Sequence, residues 1–421
     1  DYVCWSAPVD DLGNWRYEGT IYRKTDDPLN PDGKMCLYAP DVTVGPDGRY
    51  YLYYVLDKVS IVSVAVCDTP AGKYEFLGYV HDKNGVRLGE RETDEPQFDP
   101  GVLTEGDKTY LYTGACASGD KSRTGAFVTV LGSDMLTIEE EPVRVVPGCE
   151  YSEGTGFEGH AFFEASSIRK RGNTYYFIYS SEVMHELCYA VSDNPVSGFT
   201  YQGVIVCDLG IDSYKKADRP VAYGANNHGS MVQIGEDWYI FYHRHTNGSW
   251  YSRQGCAELL EIDDKGNIKQ AEITSCGLNG GPLRGEGEYP AYLACHLYTD
   301  KESVYVGGDE FPKVMQDGRD GDEEIGYIGN IQNSATAGFK YFDIQGVRRI
   351  RITTRGYADG DIEVRNEIDG EVLAKLHIVY TNVWEDYETE ISIPDGVQPL
   401  YFTFRGQGNA SLKSFALLKE A

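Results

Sequence analysis

The chain has 421 residues, enough for two or three ordinary domains. It carries 38 lysines and arginines against 66 aspartates and glutamates, so its formal charge is −28. This charge repels nucleic acid phosphates and anionic lipid surfaces, and no apolar run reaches the length of about eighteen residues that a membrane span needs. We therefore expect a globular protein, with one large and one smaller domain, that has no nucleic-acid partner and no membrane partner.

The first large feature along the chain is a repeat. Four segments share one layout, in which a polar anchor precedes a glycine-containing turn and a tyrosine-rich strand. The anchors are Asp41, Asp99, Glu164 and His228, which are 58, 65 and 64 residues apart. The 33 tyrosines and 48 glycines fit many short strands joined by tight turns.

Each repeat has the layout of a propeller blade, with an inner strand that opens on the anchor, a hairpin turn, a tyrosine-rich strand and two outer strands. The segment from Trp5 to Gly19 matches only the outer half of this unit. The repeat therefore predicts that residues 1–295 form an all-β, five-bladed β-propeller whose first blade is incomplete in this chain.

The repeat ends after Gly280-Gly281-Pro282, and a different pattern begins near residue 297. Strands with alternating polar and apolar residues follow, such as Arg348–Thr354 and Leu400–Phe404, with glycine-containing turns between them. This pattern predicts a β-sandwich over residues 296–421.

Three motifs lie in order on successive blades: Ala39-Pro-Asp41, Phe98-Asp-Pro100 and the segment Phe162–Arg169. With them, residues 1–295 resemble glycoside hydrolase family 43. The resemblance implies an inverting glycosidase that acts on α-L-arabinofuranosyl or β-D-xylosyl linkages of plant cell-wall hemicellulose or arabinan, in an exo-acting or debranching mode. It also implies an oligo- or polysaccharide substrate and no required cofactor. The C-terminal part resembles the carbohydrate-binding sandwiches often attached to such propellers.

Glu164 is a carboxylate inside a segment whose other residues are apolar and should be buried, Ala161-Phe-Phe-Glu-Ala165. Burial without a partner is costly for a charge and raises a carboxyl pKa, which suits a general acid. The resemblance gives Glu164 that role and makes Asp99 the residue that modulates the pKa of the acid. Glu158 is a rival, but it lies in a glycine-rich loop.

The resemblance also implies substrate contacts for Asp41, His228 and Arg253. Phe163 is a further candidate, because an aromatic ring can stack on a sugar ring. His228 is in addition a candidate metal ligand, because related propellers often place a histidine near a central ion. A structural Ca²⁺ ion in the propeller channel is expected on the same ground, although a hydrogen-bonded channel histidine explains the residue equally well.

The general base that activates water falls, by the resemblance, on a strand that would precede residue 1. Asp27, the other aspartate followed by proline besides Asp99, is interpreted as a loop residue.

An alternative function is a carbohydrate-binding propeller without turnover, and a protein-binding scaffold is a third. Exposed aromatics such as Tyr327, Tyr380 or Trp384 could bind polysaccharide on the sandwich, or the sandwich could only brace the propeller.

The ten cysteines show no close CxxC pairing, which favours free thiols over disulfides. The first residues lack the basic and apolar stretches of a secretory signal. We therefore expect a cytoplasmic protein, and a secreted or periplasmic location stays an open alternative.

Overall fold

The structure is a computed structural model that describes residues 1–210, 221–301, 311–318 and 326–419. These residues divide into two compact units. The first contains Asp1–Ile205, Asn226–Tyr242 and Glu261–Gln270, and the second contains Val206–Ala225, His243–Leu260 and Ala271–Ala421. The predicted domain boundary at residue 295 stays a prediction.

Regular structure in the described residues is nearly all β. The helical segments there are four 3₁₀ turns, at Lys24–Asp26, Cys149–Tyr151, Gly277–Asn279 and Ala291–Leu293. None of the helical segments in the described ranges has the length and apolar character needed to cross a membrane.

Antiparallel sheets follow one another along the first part of the chain. The first has two strands, β1 (Tyr2–Ser6) and β2 (Arg16–Tyr22). Three four-stranded sheets come next. The first of these consists of β3 (Asp41–Val44), β4 (Tyr50–Val55), β5 (Val62–Cys67) and β6 (Glu75–Tyr79), and the second consists of β7 (Gly101–Glu105), β8 (Lys108–Thr113), β9 (Gly125–Leu131) and β10 (Ile138–Pro147). The third four-stranded sheet consists of β11 (Phe162–Arg171), β12 (Thr174–Ser181), β13 (Glu186–Ser192) and β14 (Thr200–Cys207). A further antiparallel pair consists of β15 (Gly229–Ile234) and β16 (Asp237–Arg244).

The first strands of successive sheets are neighbours: β3 contacts β7, β7 contacts β11 and β11 contacts β15. This is the arrangement of propeller blades, in which the first strand of each blade lies nearest the axis. The prediction of a five-bladed propeller with an incomplete first blade is confirmed, since β1 and β2 supply only the outer half of that blade.

The tyrosine-rich second strand β4 lies inside its blade and is buried on both faces. In β4 every residue from Tyr51 to Val55 is buried. The hydroxyl of Tyr53 donates to the carbonyl of Met135 at 2.7 Å, and that of Tyr54 donates to Asp27 Oδ2 at 2.7 Å. Asp27 lies in a loop, as expected, but it is fully buried, and it holds the loop between the first two blades against Tyr54 and Tyr79 of the second blade.

The second unit contains the remaining strands: β17 (Gln254–Leu259), β18 (Leu283–Arg284), β19 (Gly287–Pro290), β20 (His296–Tyr298), β21 (Lys313–Gln316), β22 (Gly326–Ile331), β23 (Thr336–Ile344), β24 (Val347–Arg365), β25 (Ala374–Ile378), β26 (Thr381–Glu390) and β27 (Gly396–Lys419). Strands β18 to β27 form the predicted sandwich as one curled sheet. The sheet is continuous because β24 pairs with β26 near its start, with β25 near its end and with β27 throughout.

Gly356 permits the close approach of β24 and β27. Its φ is +134°, and a Cβ built there would lie 2.4 Å from the carbonyl oxygen of Asn409. The apolar residues that face the interior of the curled sheet then form one cluster, which includes Phe339, Phe402 and Phe415.

Candidate active site

The four predicted anchors lie at or beside the starts of the four inner strands. Asp41 opens β3, Asp99 precedes β7 by two residues, Glu164 is the third residue of β11 and His228 directly precedes β15. Because these strands contact one another in succession, the repeat places the anchors at corresponding positions of neighbouring blades.

Asp99 is buried, with 5% of its surface exposed. Its Oδ2 accepts a hydrogen bond from the backbone N–H of Ala165 at 3.0 Å and lies 3.9 Å from Nδ1 of His228. Asp99 therefore holds the residue that directly follows Glu164, which is the geometry expected of a group that orients an acid.

The backbone is strained on both sides of this hydrogen bond. Asp99 has a φ of +42° and Ala165 a φ of +67°, both in the left-handed region that residues other than glycine rarely adopt. Such conformations cost about 1–3 kcal/mol each and cluster at active sites. The strain singles out the Asp99–Ala165 contact as a place where position has been favoured over stability.

Glu164 is half-buried and pairs in register with Ser180 of β12. The β11–β12 register shifts on both sides of it, between Phe162 and Glu164 and between Glu164 and Ser167. Bulges of this kind re-aim a side chain. The Glu164 Oε1 accepts a hydrogen bond from the side-chain Nδ2 of Asn226 at 3.0 Å, so one carboxyl oxygen is fixed by a residue 62 positions away.

Asp41 forms a paired contact with Arg169. The arginine Nη2 lies 2.9 Å from Asp41 Oδ1, and its Nη1 lies 3.1 Å from Oδ2. The backbone N–H of Val102 donates to the same Oδ2 at 2.9 Å. Burial alone would lower the pKa of Arg169, but the charge of Asp41 and its hydrogen bonds raise that pKa above its usual value. Asp41 thus ties three inner strands together, and its predicted substrate contact stays a prediction.

The other predicted site residues occupy different surroundings. Phe163 is half-buried, and its carbonyl accepts the N–H of Cys116 at 2.7 Å. His228 is 18% exposed at its side chain and is brought together with Asp99. Arg253 belongs to the second unit, is exposed and donates from Nε to the carbonyl of Trp250 at 3.4 Å. The substrate contacts of these residues and the Ca²⁺ ion near His228 stay predictions.

Glu158 was the rival acid. It is exposed in its loop, where its Oε1 accepts the N–H groups of Gly154 at 2.5 Å and Thr155 at 3.2 Å. Hydrogen bonds from backbone N–H groups, first that of Glu158 itself and then those of Gly154 and its neighbours, lower the pKa of Glu158. A carboxyl held in its charged form is poorly suited to donate a proton, so the structure favours Glu164 over Glu158.

Three residues of this region were not among the predicted site residues. Arg169 ends the Phe162–Arg169 segment quoted from the sequence, and Asn226 lies two residues before the anchor His228. Burial raises the pKa of Tyr2 well above its usual value, and the negative charge of Asp99 raises it further. No spacing or motif in the sequence connects Tyr2 to Asp99.

Comparison with known proteins gives the family. The family described as Glycosyl hydrolases family 43 matches residues 4–268. A protein named Xylosidase/arabinosidase from Thermoclostridium stercorarium is 66% identical over 425 residues, which cover 99% of this chain and 90% of that protein.

More distant relatives are also found. A Xylosidase/arabinosidase from Bacteroides ovatus is 31% identical over 232 residues, covering 49% of this chain and 64% of that protein. A solved family 43 arabinoxylan arabinofuranohydrolase from Bacillus subtilis, in complex with cellotetraose, is 21% identical with a TM-score of 0.48, covering 97% of this chain and 85% of that one. The family match over residues 4–268 and the 66% identity along nearly the whole chain confirm the resemblance read from the motifs, and the chain belongs to glycosyl hydrolases family 43.

Proposed function

We propose that this enzyme removes α-L-arabinofuranosyl or β-D-xylosyl groups from hemicellulose or arabinan, with inversion at the anomeric carbon. The observation that carries the proposal is the arrangement around Glu164, where Asn226 holds the carboxyl group and Asp99 holds the following residue. The names of the relatives, Xylosidase/arabinosidase and Arabinoxylan arabinofuranohydrolase, support this substrate class.

In the proposed reaction Glu164 is the general acid. Its proton passes to the glycosidic oxygen as the bond between that oxygen and the anomeric carbon breaks. A water molecule adds to the opposite face of the anomeric carbon and loses its proton to a general base. The products are an inverted sugar and an alcohol, and Glu164 is left as a carboxylate.

Asp99 acts on Glu164 through position and charge. Its bond to the Ala165 amide fixes the start of the bulged segment, and a carboxylate in this region disfavours ionisation of a second one. His228, 3.9 Å from Asp99, and the ring of Phe163 are proposed to contact the sugar. The predicted contacts of Arg253 and Asp41 belong to the same proposal.

The test is hydrolysis of an aryl α-L-arabinofuranoside and an aryl β-D-xyloside by the 421-residue chain and by Glu164→Gln. Turnover that the substitution abolishes supports the proposal and shows which sugar is preferred. Equal turnover by the two proteins contradicts the role of Glu164. Xylotriose binding without turnover by either protein supports the alternative, a carbohydrate-binding propeller.

We also propose that the second unit binds polysaccharide through Tyr357 and Tyr380. Their rings lie 4.4 Å apart at an angle of 35°, and they are 75% and 52% exposed. Exposed aromatic faces can stack on sugar rings. The other aromatics named from the sequence are less available, since Tyr327 is buried and Arg355 lies 4.3 Å above the ring of Trp384. Loss of binding to insoluble arabinoxylan in Tyr357→Ala/Tyr380→Ala would support this role, and unchanged binding would exclude it.

A cytoplasmic location is proposed as well. The ten cysteines are present as thiols, as the sequence predicted, and thiols are typical of reducing compartments. Localisation of the full-length protein by cell fractionation would test this.

A further inference from the structure

A second cluster of reactive side chains lies in the third four-stranded sheet, apart from the anchors. His160 Nδ1 lies 2.6 Å from Glu186 Oε1, Cys188 Sγ lies 3.5 Å from the same oxygen, and Cys188 Sγ lies 3.9 Å from His160 Nδ1. The sequence brings Glu186 and Cys188 together because residues two apart on a strand point to one face. His160 reaches them from the loop that leads into β11.

The cluster is enclosed but has one open side. Glu186 and Cys188 are buried, with 1% and 0% of their surface exposed, whereas the side chain of His160 is 23% exposed. The ring of His160 stacks on Tyr201, with centroids 4.9 Å apart and planes at 11°. The histidine is therefore held in place at the edge that solvent reaches.

The carboxyl group of Glu186 lies at the centre of this cluster. One buried oxygen, Glu186 Oε1, thus serves as the acceptor for His160, Ser181 and Cys188.

We propose that His160, Glu186 and Cys188 form a binding site for a divalent transition metal ion of the Zn²⁺ class. Imidazole, carboxylate and thiolate are the three ligand types that Zn²⁺ takes in proteins, with bonds of about 2.0–2.3 Å. In tetrahedral geometry those bonds place ligand atoms about 3.3–3.6 Å apart. The Glu186–Cys188 distance of 3.5 Å already fits. His160 has to move about 0.7 Å away from Glu186, which its loop position allows.

The charges balance in this site. Binding releases the thiol proton of Cys188 to solvent. The proton that His160 Nδ1 donates to Glu186 in the metal-free chain leaves to solvent while Nε2 takes one up, so that the imidazole stays neutral and Nδ1 binds the ion. One carboxylate and one thiolate then neutralise the ion, as a buried divalent charge requires. Ser181 Oγ, 2.6 Å from Glu186 Oε1, or a water molecule from the open side completes four ligands.

A metal ion here would act on the proposed acid through the backbone. His160 precedes Glu164 by four residues, and the ion would fasten the entry of β11 to β13, both in the third four-stranded sheet. The consequence expected of bound metal is a higher unfolding temperature of the whole chain. This inference does not depend on the proposed glycosidase mechanism.

The experiment is titration of the metal-free 421-residue chain with Co²⁺, which reports thiolate binding by a charge-transfer band in the near ultraviolet. We expect one equivalent of Co²⁺ to produce the band, and Zn²⁺ to remove it by displacement. Cys188→Ser abolishes the band, and His160→Ala weakens Co²⁺ affinity about 100-fold or more. His160→Ala alters a partly exposed residue, so it remains informative if Cys188→Ser fails to fold.

The matched control is Cys116→Ser, which alters another buried thiol of the same unit. This variant keeps both the band and the rise in unfolding temperature with Zn²⁺. The proposal is overturned if the chain develops no band, if the band survives Cys188→Ser, or if His160→Ala binds Co²⁺ as tightly as the parent.

Discussion

The two units differ in where they place polar side chains and apolar clusters. In the first unit the inner strands begin at polar anchors, and the Asp99 and Ala165 backbones adopt left-handed conformations there. In the second unit the long strands β24 and β27 enclose an apolar cluster around Phe415. The first unit thus divides its apolar residues among clusters between neighbouring blades and keeps polar side chains at the starts of the inner strands, whereas the described residues of the second unit form a large apolar cluster inside the curled sheet.

The largest expected effect comes from removing the proposed acid. Glu164→Gln keeps the shape of the side chain but has no proton to donate, so we expect kcat to fall by about 10²–10⁴. Unfolding in denaturant should change little, because the residue serves position and not packing. Glu158→Gln is the matched control and should retain nearly full turnover. A small loss of kcat in Glu164→Gln would contradict the role of Glu164 as the general acid.

The reverse experiment removes an aromatic ring from the core of the second unit. Phe415 packs on Phe339 and Phe402 at centroid distances of 4.7 and 5.0 Å. Phe415→Ala should lower the free energy of unfolding by about 3–5 kcal/mol, measured in urea, while kcat of the folded enzyme stays close to the parent value. Tyr357→Ala, at an exposed position, should leave stability unchanged.

The ion pair between Asp41 and Arg169 tests whether polar anchors also stabilise the propeller. Both side chains are mostly enclosed, with 14% and 26% exposed. Arg169→Met leaves a carboxylate without its main partner, and we expect a loss on the order of 3 kcal/mol in urea unfolding. Asp41→Asn in the same chain should recover part of that loss. The exposed pair Arg49–Asp68 provides the control, since Arg49→Met should have no measurable effect.

Asn226 should act as a positioning residue. Asn226→Ala removes one hydrogen bond to Glu164. A single hydrogen bond contributes about 1.4 kcal/mol, which corresponds to a factor of about ten in rate, so we expect kcat to fall about tenfold. The pH profile should shift as well, because the bond acts on the ionising group itself. A purely structural role predicts lower stability with an unchanged pH profile.

The smallest effect concerns pH and the second unit. Burial lowers the pKa of His296 well below its usual value, and Lys340 and Arg244 lower it further. The folded state therefore keeps His296 neutral, while the unfolded state takes up a proton as pH falls below about 6.5. The contribution of His296 to the free energy of unfolding is therefore fully present well above pH 6.5, and it should be about 1.4 kcal/mol smaller at pH 5.5. Urea unfolding at pH 7.5 and 5.5 measures the difference, and His296→Leu should reduce it.

Much of the propeller could be predicted from the sequence because the signal repeats. The tyrosine-rich strands β4, β8, β12 and β16 appear where the repeat places them, and the short β1–β2 hairpin matches the half-unit from Trp5 to Gly19. The curled sheet of the second unit was predicted only as a sandwich. The joining of its layers depends on the close approach at Gly356, which alternation of polar and apolar residues does not reveal.

The partners of the anchors could not be predicted. Arg169 meets Asp41 across 128 positions, and Asn226 meets Glu164 across 62. Such pairs depend on which blades are neighbours and on how bulges in β11 turn individual side chains, and neither is encoded in local spacing. The same reasoning applies to His160, Glu186 and Cys188, which become a cluster only when the loop before β11 folds over β13.

Glu164, held by the Asp99–Ala165 and Asn226–Glu164 contacts, acts as the general acid in the proposed reaction, so the loss of turnover on its substitution should depend on the leaving group. Turnover of aryl glycosides by Glu164→Gln should fall steeply for poor leaving groups and much less for a dinitrophenolate, which departs without a proton. Equal losses for good and poor leaving groups would contradict the assignment of Glu164 as the acid.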